Sequence, residues 1–171
     1  MIRVSKTRLP GVLLIRLDPF RDHRGVYAMT YNRKLYRRLG LEARFVEDDY
    51  SRSRRHVLRG IHADSKSWKL ISCPLGRILV VIVNCNRRSL RFGRWQAFEL
   101  SEKNARELLV PPKHGVAHLV LSKEAMFSYK QSEYYDPRRQ ATYRWDDPSF
   151  KIRWPVQNPI LSKRDRLGRY V

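Results

Sequence analysis

Apolar residues in this chain come in short runs rather than at helical spacing, and turn-forming residues separate them. The pattern predicts strands at Val12–Leu17, Gly25–Tyr31, Val57–His62, Leu70–Cys73, Ile78–Asn84, Gln96–Leu100, Glu107–Val110, Ala117–Leu121 and Ala125–Gln131. The breaks between them are Asp18-Pro19, Pro74-Leu75-Gly76, Pro111-Pro112 and Asp136-Pro137. The stretch from Ile78 to Val83 is apolar throughout, as expected of a central strand covered on both faces. Helical periodicity is confined to Tyr31–Leu39 and to Ser101–Arg106, the latter with Ser101 as N-cap. With no alternation of strand and long helix, the expected fold is all-β, a sandwich or barrel, in one domain spanning residues 1–171.

Composition supports a packed core: nine Tyr, six Phe and four Trp supply the apolar area that disordered chains lack. No run approaches the ~20 apolar residues that cross a bilayer, and the first residues lack the apolar stretch of a secretory signal, so the expected location is the cytoplasm. Cys73 and Cys85 are too few for a disulfide framework and lack metal spacing, which leaves them as reduced core thiols. The net charge of +20 raises a nucleic-acid partner as a reading. The cations are scattered from Arg3 to Arg169 instead of forming one arm, which is the pattern of a solvated surface.

The chemistry concentrates between Arg59 and Lys69. Arg59-Gly60-Ile61-His62 followed by Lys69 is expected to set a guanidinium, an imidazole and an ammonium on one strand pair, a set suited to an anionic carbonyl substrate. His62, Asp64 and His118 offer a second reading, a two-His-one-carboxylate metal site of an oxygenase. Lys69 argues against it, because an ammonium beside a dication is unfavourable and beside an oxyanion is useful.

The chain also resembles the dTDP-4-dehydrorhamnose 3,5-epimerases and related nucleotide-sugar epimerases of the cupin superfamily. The resemblance is carried by Asp22-His23-Arg24-Gly25, Leu58-Arg59-Gly60-Ile61-His62, Phe92-Gly93-Arg94-Trp95, Gly115-Val116-Ala117-His118, Tyr129-Lys130, Trp145-Asp146-Asp147-Pro148 and Ser162-Lys163-Arg164-Asp165. It implies a cupin jelly roll with short peripheral helices, usually a homodimer. It also implies proton-transfer chemistry on a nucleotide-diphosphate sugar, with no cofactor, no metal and no membrane. In that likeness His62 is the base that removes the proton next to a C4 ketone and Asp165 is its partner. Lys69 stabilises the enolate, and Tyr129 returns a proton from the opposite face. Arg24 and Arg59 match diphosphate contacts, His118 a substrate contact and Tyr135 an aromatic that stacks on the base.

Departures from the family pattern fall at binding positions. Glu47-Asp48-Asp49 stands where Gln-Asp-Asn is usual, Met29 and Gln140 each replace a Glu, and Arg164 replaces a Lys. Glu47, Asp49, Gln140 and Arg164 are therefore expected to contact a substrate somewhat different from the usual one. The turn from Ala63 to Trp68 is short and looks more like that of epimerases acting on GDP-linked 4-keto heptoses in capsule synthesis. The expected function is inversion at C3, C5 or both of a nucleotide-linked 4-keto sugar, with dTDP and GDP both open.

Overall fold

A computed structural model describes residues 2–171. In chain order the first strands are β1 (Arg3–Lys6), β2 (Leu13–Arg16), β3 (Phe20–Asp22), β4 (Gly25–Tyr27), β5 (Glu47–Arg54) and β6 (Leu58–Asp64). They are followed by β7 (Lys69–Leu75), β8 (Arg77–Asn84), β9 (Trp95–Ser101), β10 (Arg106–Val110), β11 (His114–Val120), β12 (Glu124–Gln131) and β13 (Gln140–Thr142). A six-stranded sheet in the order β1-β2-β10-β7-β12-β5 packs on a five-stranded sheet in the order β13-β6-β11-β8-β9, and β3 and β4 form a separate hairpin. This is the all-β sandwich that the short apolar runs and the resemblance imply.

Ile71, Val80, Ile82, Leu108, Val120 and Phe127 fill the space between the sheets. The opposite face of β8, Val81 and Val83, is covered by Ile61, Tyr143 and Phe150. Strand β8 is thus buried on both sides, as its unbroken apolar run requires.

Two expected elements differ. The strand begun at Gly25 ends at Tyr27, and the following helix, α1 (Arg33–Arg38), is capped by Asn32, whose side chain accepts the Leu35 N–H at 3.0 Å. Ser101–Arg106 is a turn, not a helix. Ser101 does cap, its Oγ accepting the Asn104 N–H at 3.1 Å, but the Asn104 side chain takes the N–H groups of Ser101 and Arg106 in return, at 3.0 and 3.2 Å. Those local bonds replace the helical ladder before it can propagate.

Helix α1 is held by Tyr36, which is buried and donates to Glu107 Oε2 at 2.7 Å. Burial pushes the Glu107 carboxyl up to about 8, against the opposing pull of Tyr36 and Lys130. A carboxyl raised on folding holds its proton in the folded chain and loses it in the unfolded one. Its stabilising contribution is therefore complete below about pH 4.5 and lost as pH rises through about 8. Thermal melts should show stability falling across that interval by on the order of 2–4 kcal/mol, and Glu107→Gln should flatten the fall.

Candidate active site

A cavity of about 260 Å³ opens between the sheets, lined by Asp49, Tyr50, Ser51, Arg59, His62, Lys69, Val116, His118, Phe127 and Tyr129. Arg59, His62, Val116 and His118 come from β6 and β11 of the five-stranded sheet, and the others come from β5, β7 and β12 of the six-stranded sheet. The sequence places Arg59, His62 and Lys69 on one strand pair. The structure instead extends β6 to Asp64 and sends the turn 65–68 across the sandwich, so Lys69 faces His62 from the opposite wall.

Arg59 and His62 are three positions apart, and a regular strand would point them to opposite faces. The pairing of β6 with β11 changes register between Val116 and His118, opposite Gly60 and Ile61, and both side chains reach the cavity. Gly60 makes this possible. Its φ is +115°, and a Cβ there would lie 2.5 Å from the Val116 carbonyl oxygen.

His62 Nε2 lies 2.7 Å from Asp165 Oδ1. The Asp165 side chain is buried, its Oδ1 also receiving the Gly60 N–H at 3.3 Å and its Oδ2 the Ser162 hydroxyl at 2.7 Å. Burial alone would raise this carboxyl, but the hydrogen bonds from His62 and Ser162 outweigh it and hold Asp165 below the ordinary carboxylate value. An ionised Asp165 can only accept, so Nε2 carries the proton and Nδ1 is left with the basic lone pair. Ser162 also caps helix α2 (Lys163–Arg166) by accepting the Asp165 N–H at 3.1 Å. The role of Ser162 is not assigned by sequence reading, although Ser162-x-x-Asp165 is the signature of a capping box.

Across the cavity the Lys69 ammonium lies 5.5 Å from the centre of the Tyr129 ring. It has no ion-pair partner among the described residues, and burial lowers its pKa. Burial, then the charges of Asp49 and Glu47, pushes the Tyr129 phenol up to about 12. His118 is buried and stacked on Phe127 with ring centres 4.0 Å apart, and its Nε2 has no hydrogen-bond partner among the described residues. Burial, then the Arg59 charge, pushes it down to about 3, so it meets a ligand as a neutral imidazole. Among the described residues Arg59 is oriented only by Ser53 Oγ, at 3.1 and 3.2 Å, with no carboxylate partner.

Other expected site residues fall outside this lining. Arg24 lies on the exposed β3–β4 hairpin and pairs with Asp22 at 2.6 Å. Tyr135 is half exposed and gives its N–H to Glu47 at 3.0 Å. Arg164 donates to Thr142 Oγ1 at 2.8 Å, and its charge bears on Lys69. Gln140 is bound to Asp64, whose other oxygen accepts the N–H groups of Lys66 and Ser67 at 2.8 Å each. Asp64 is thereby committed to the turn, and His62, Asp64 and His118 do not gather as metal ligands; no such cluster occurs among the described residues.

Residues 6–170 match the family model of dTDP-4-dehydrorhamnose 3,5-epimerase. The chain belongs to this family. It is an epimerase, an enzyme of the isomerase class. It is 36% identical over 172 residues to the dTDP-4-dehydrorhamnose 3,5-epimerase of Shigella flexneri, covering 98% of this chain and 95% of that one. The crystal structure of the Bacillus anthracis dTDP-4-dehydrorhamnose 3,5-epimerase with TDP and pyrophosphate bound superposes with a TM-score of 0.95 at 32% identity, over 100% of both chains. The Legionella pneumophila epimerase in complex with dTDP-4-keto-L-rhamnose gives 0.94 at 32% identity, over 99% of this chain and 93% of the other. Among the described residues of this epimerase no helix is long and apolar enough to cross a membrane.

Proposed function

We propose that this epimerase inverts C3, C5 or both of a dTDP-linked 4-keto-6-deoxy sugar through an enolate. The observation that carries the reading is the facing pair of walls: the His62–Asp165 dyad on one side and Tyr129 with Lys69 on the other. His62 Nδ1 takes the proton next to the ketone, and Asp165 stabilises the imidazolium. The electrons move onto the ketone oxygen, where the largely buried Lys69 ammonium meets the developing charge. Tyr129 delivers a proton to the opposite face of the carbon, and the centre is inverted. Although a phenol is a weak acid, a carbanion-like carbon is a far stronger base. Arg59 holds the diphosphate, for which a guanidinium with no carboxylate partner among the described residues is suited.

The dTDP assignment follows the nucleotides named for the relatives. Incubation with dTDP- and GDP-linked 4-keto sugars, followed by NMR of the products, tests it. Turnover of the dTDP sugar is expected; turnover of a GDP-linked 4-keto heptose alone would reassign the nucleotide, and no turnover of either would remove the function.

We also propose that the epimerase works as a cytoplasmic homodimer. The β3–β4 hairpin exposes Phe20, Val26 and Tyr27, and it carries Arg24, which lines no part of its own chain's cavity. A second copy seated on that apolar face would bury it and bring Arg24 toward a neighbouring site. Sedimentation should give twice the mass of one chain, and Tyr27→Asp should shift it toward the monomer; a monomeric wild type would contradict the proposal.

A further inference from the structure

Strand β5 contributes Glu47 and Asp49 to the same face of the six-stranded sheet, opposite Gln131 and Tyr129 of β12 in direct register. The Gln131 amide nitrogen donates to both carboxyls, at 2.7 Å to Glu47 and 3.0 Å to Asp49. The Asp49 and Glu47 carboxyls are thus drawn to one donor, and the Tyr129 ring stands beside Asp49 on the next strand. Two carboxyl groups converging on one amide repel each other unless one of them carries a proton. The donors decide which one. Glu47 receives two N–H groups, from Gln131 and Tyr135, and Asp49 receives one, from Gln131. Asp49 faces a phenol and a second carboxyl in the cavity wall, where burial and then the Glu47 charge raise its pKa.

We infer that Asp49 and Glu47 hold one proton between them and return it to Tyr129 after the phenol has given up its own. This rests on the epimerase reading of Tyr129 as proton donor. When Tyr129 protonates the substrate carbon its O–H bond breaks and a phenolate remains. The Asp49 O–H bond then breaks, the phenol O–H re-forms, and the carboxyl pair is left with two negative charges. The pair takes its next proton from solvent on the Glu47 side, beside half-exposed Tyr135. His62 releases to solvent the proton it removed, so protons balance over a turnover. Lys69 from β7, and Arg59, His62 and His118 from the facing sheet, are the other charged or titratable groups around the pair. Asp49 and Glu47 act through Tyr129 and are positioning residues.

The consequence is a dependence on pH that amides at these positions would lack. As pH rises and the shared proton is lost, two carboxylates beside Tyr129 oppose formation of a phenolate. Wild type kcat should therefore fall on an alkaline limb that the double variant Glu47→Gln/Asp49→Asn lacks, while that variant remains folded and turns over more slowly at neutral pH, its phenolate regaining a proton only from solvent. The first measurement needs no substrate: an infrared difference spectrum at neutral pH, wild type minus double variant, should contain a protonated carboxyl band. Glu107 is common to both proteins and cancels. Absence of that band, or the same alkaline limb in both proteins, would overturn the proton pair. A wild type that turns over no nucleotide sugar would instead remove the epimerase reading, and with it the relay, even where the band is present.

Discussion

Replacing His62 by Asn should lower kcat by about three orders of magnitude, in the middle of the range for loss of a general base, and should abolish exchange of substrate hydrogen with solvent. The amide offers no basic nitrogen, and although it stops short of the Nε2 position, Asp165 keeps the Ser162 hydroxyl and the Gly60 N–H as donors. The His62 side chain is 27% exposed in the cavity wall, so the substitution opens no core void and the melting temperature should be nearly unchanged. Substrate affinity should change little, because Arg59 and His118 remain. The measurement is kcat alongside a melt and a nucleotide-binding titration. Wild type kcat in a folded His62→Asn protein would remove His62 as the base.

Tyr129→Phe should give a different failure: exchange without inversion. His62 still removes the proton, Lys69 still meets the enolate, and the imidazolium can return a solvent-derived proton to the face it came from. Without the phenol, nothing in the opposite wall supplies the other face at a comparable rate. The ring keeps its packing, with Phe127 at 5.3 Å and the Lys69 ammonium at 5.5 Å, so the variant should fold. Inverted product should fall by on the order of a hundredfold or more, while deuterium from heavy water still enters the starting sugar. Equal loss of exchange and inversion would mean that Tyr129 does something other than protonate the far face.

Much of this fold is legible in the sequence because most strands have one apolar face or two. Strand β8 is unmistakable, as Val80 and Ile82 face one cluster and Val81 and Val83 the other. Strand β5 is not. Its inward positions are Glu47, Asp49, Ser51 and Ser53, which line the cavity or orient residues that do, so the strand carries no hydrophobic alternation to find. The property that hides it is its function. Likewise β1, β3 and β13 are three or four residues long, too short for a periodicity to register.

The site is legible in part for a similar reason. His62, Lys69, Arg59, His118, Tyr129 and Asp49 are chemically conspicuous, and the structure brings all of them to one cavity. What spacing along the chain cannot show is on which wall each stands. Lys69 follows His62 by a short turn, yet that turn crosses the sandwich. Gln131 is less conspicuous: a buried amide near a strand end, it becomes important only because β12 sets it opposite Glu47.

The central claim is that His62 removes a carbon-bound proton and that Tyr129 returns one from the other side. The most direct test is turnover of dTDP-4-dehydro-6-deoxyglucose in heavy water, followed by NMR of the sugar. The account predicts one deuterium at each inverted centre, C3 or C5, and none with His62→Asn. Inversion without solvent deuterium, or deuterium entering equally well without His62, would contradict it.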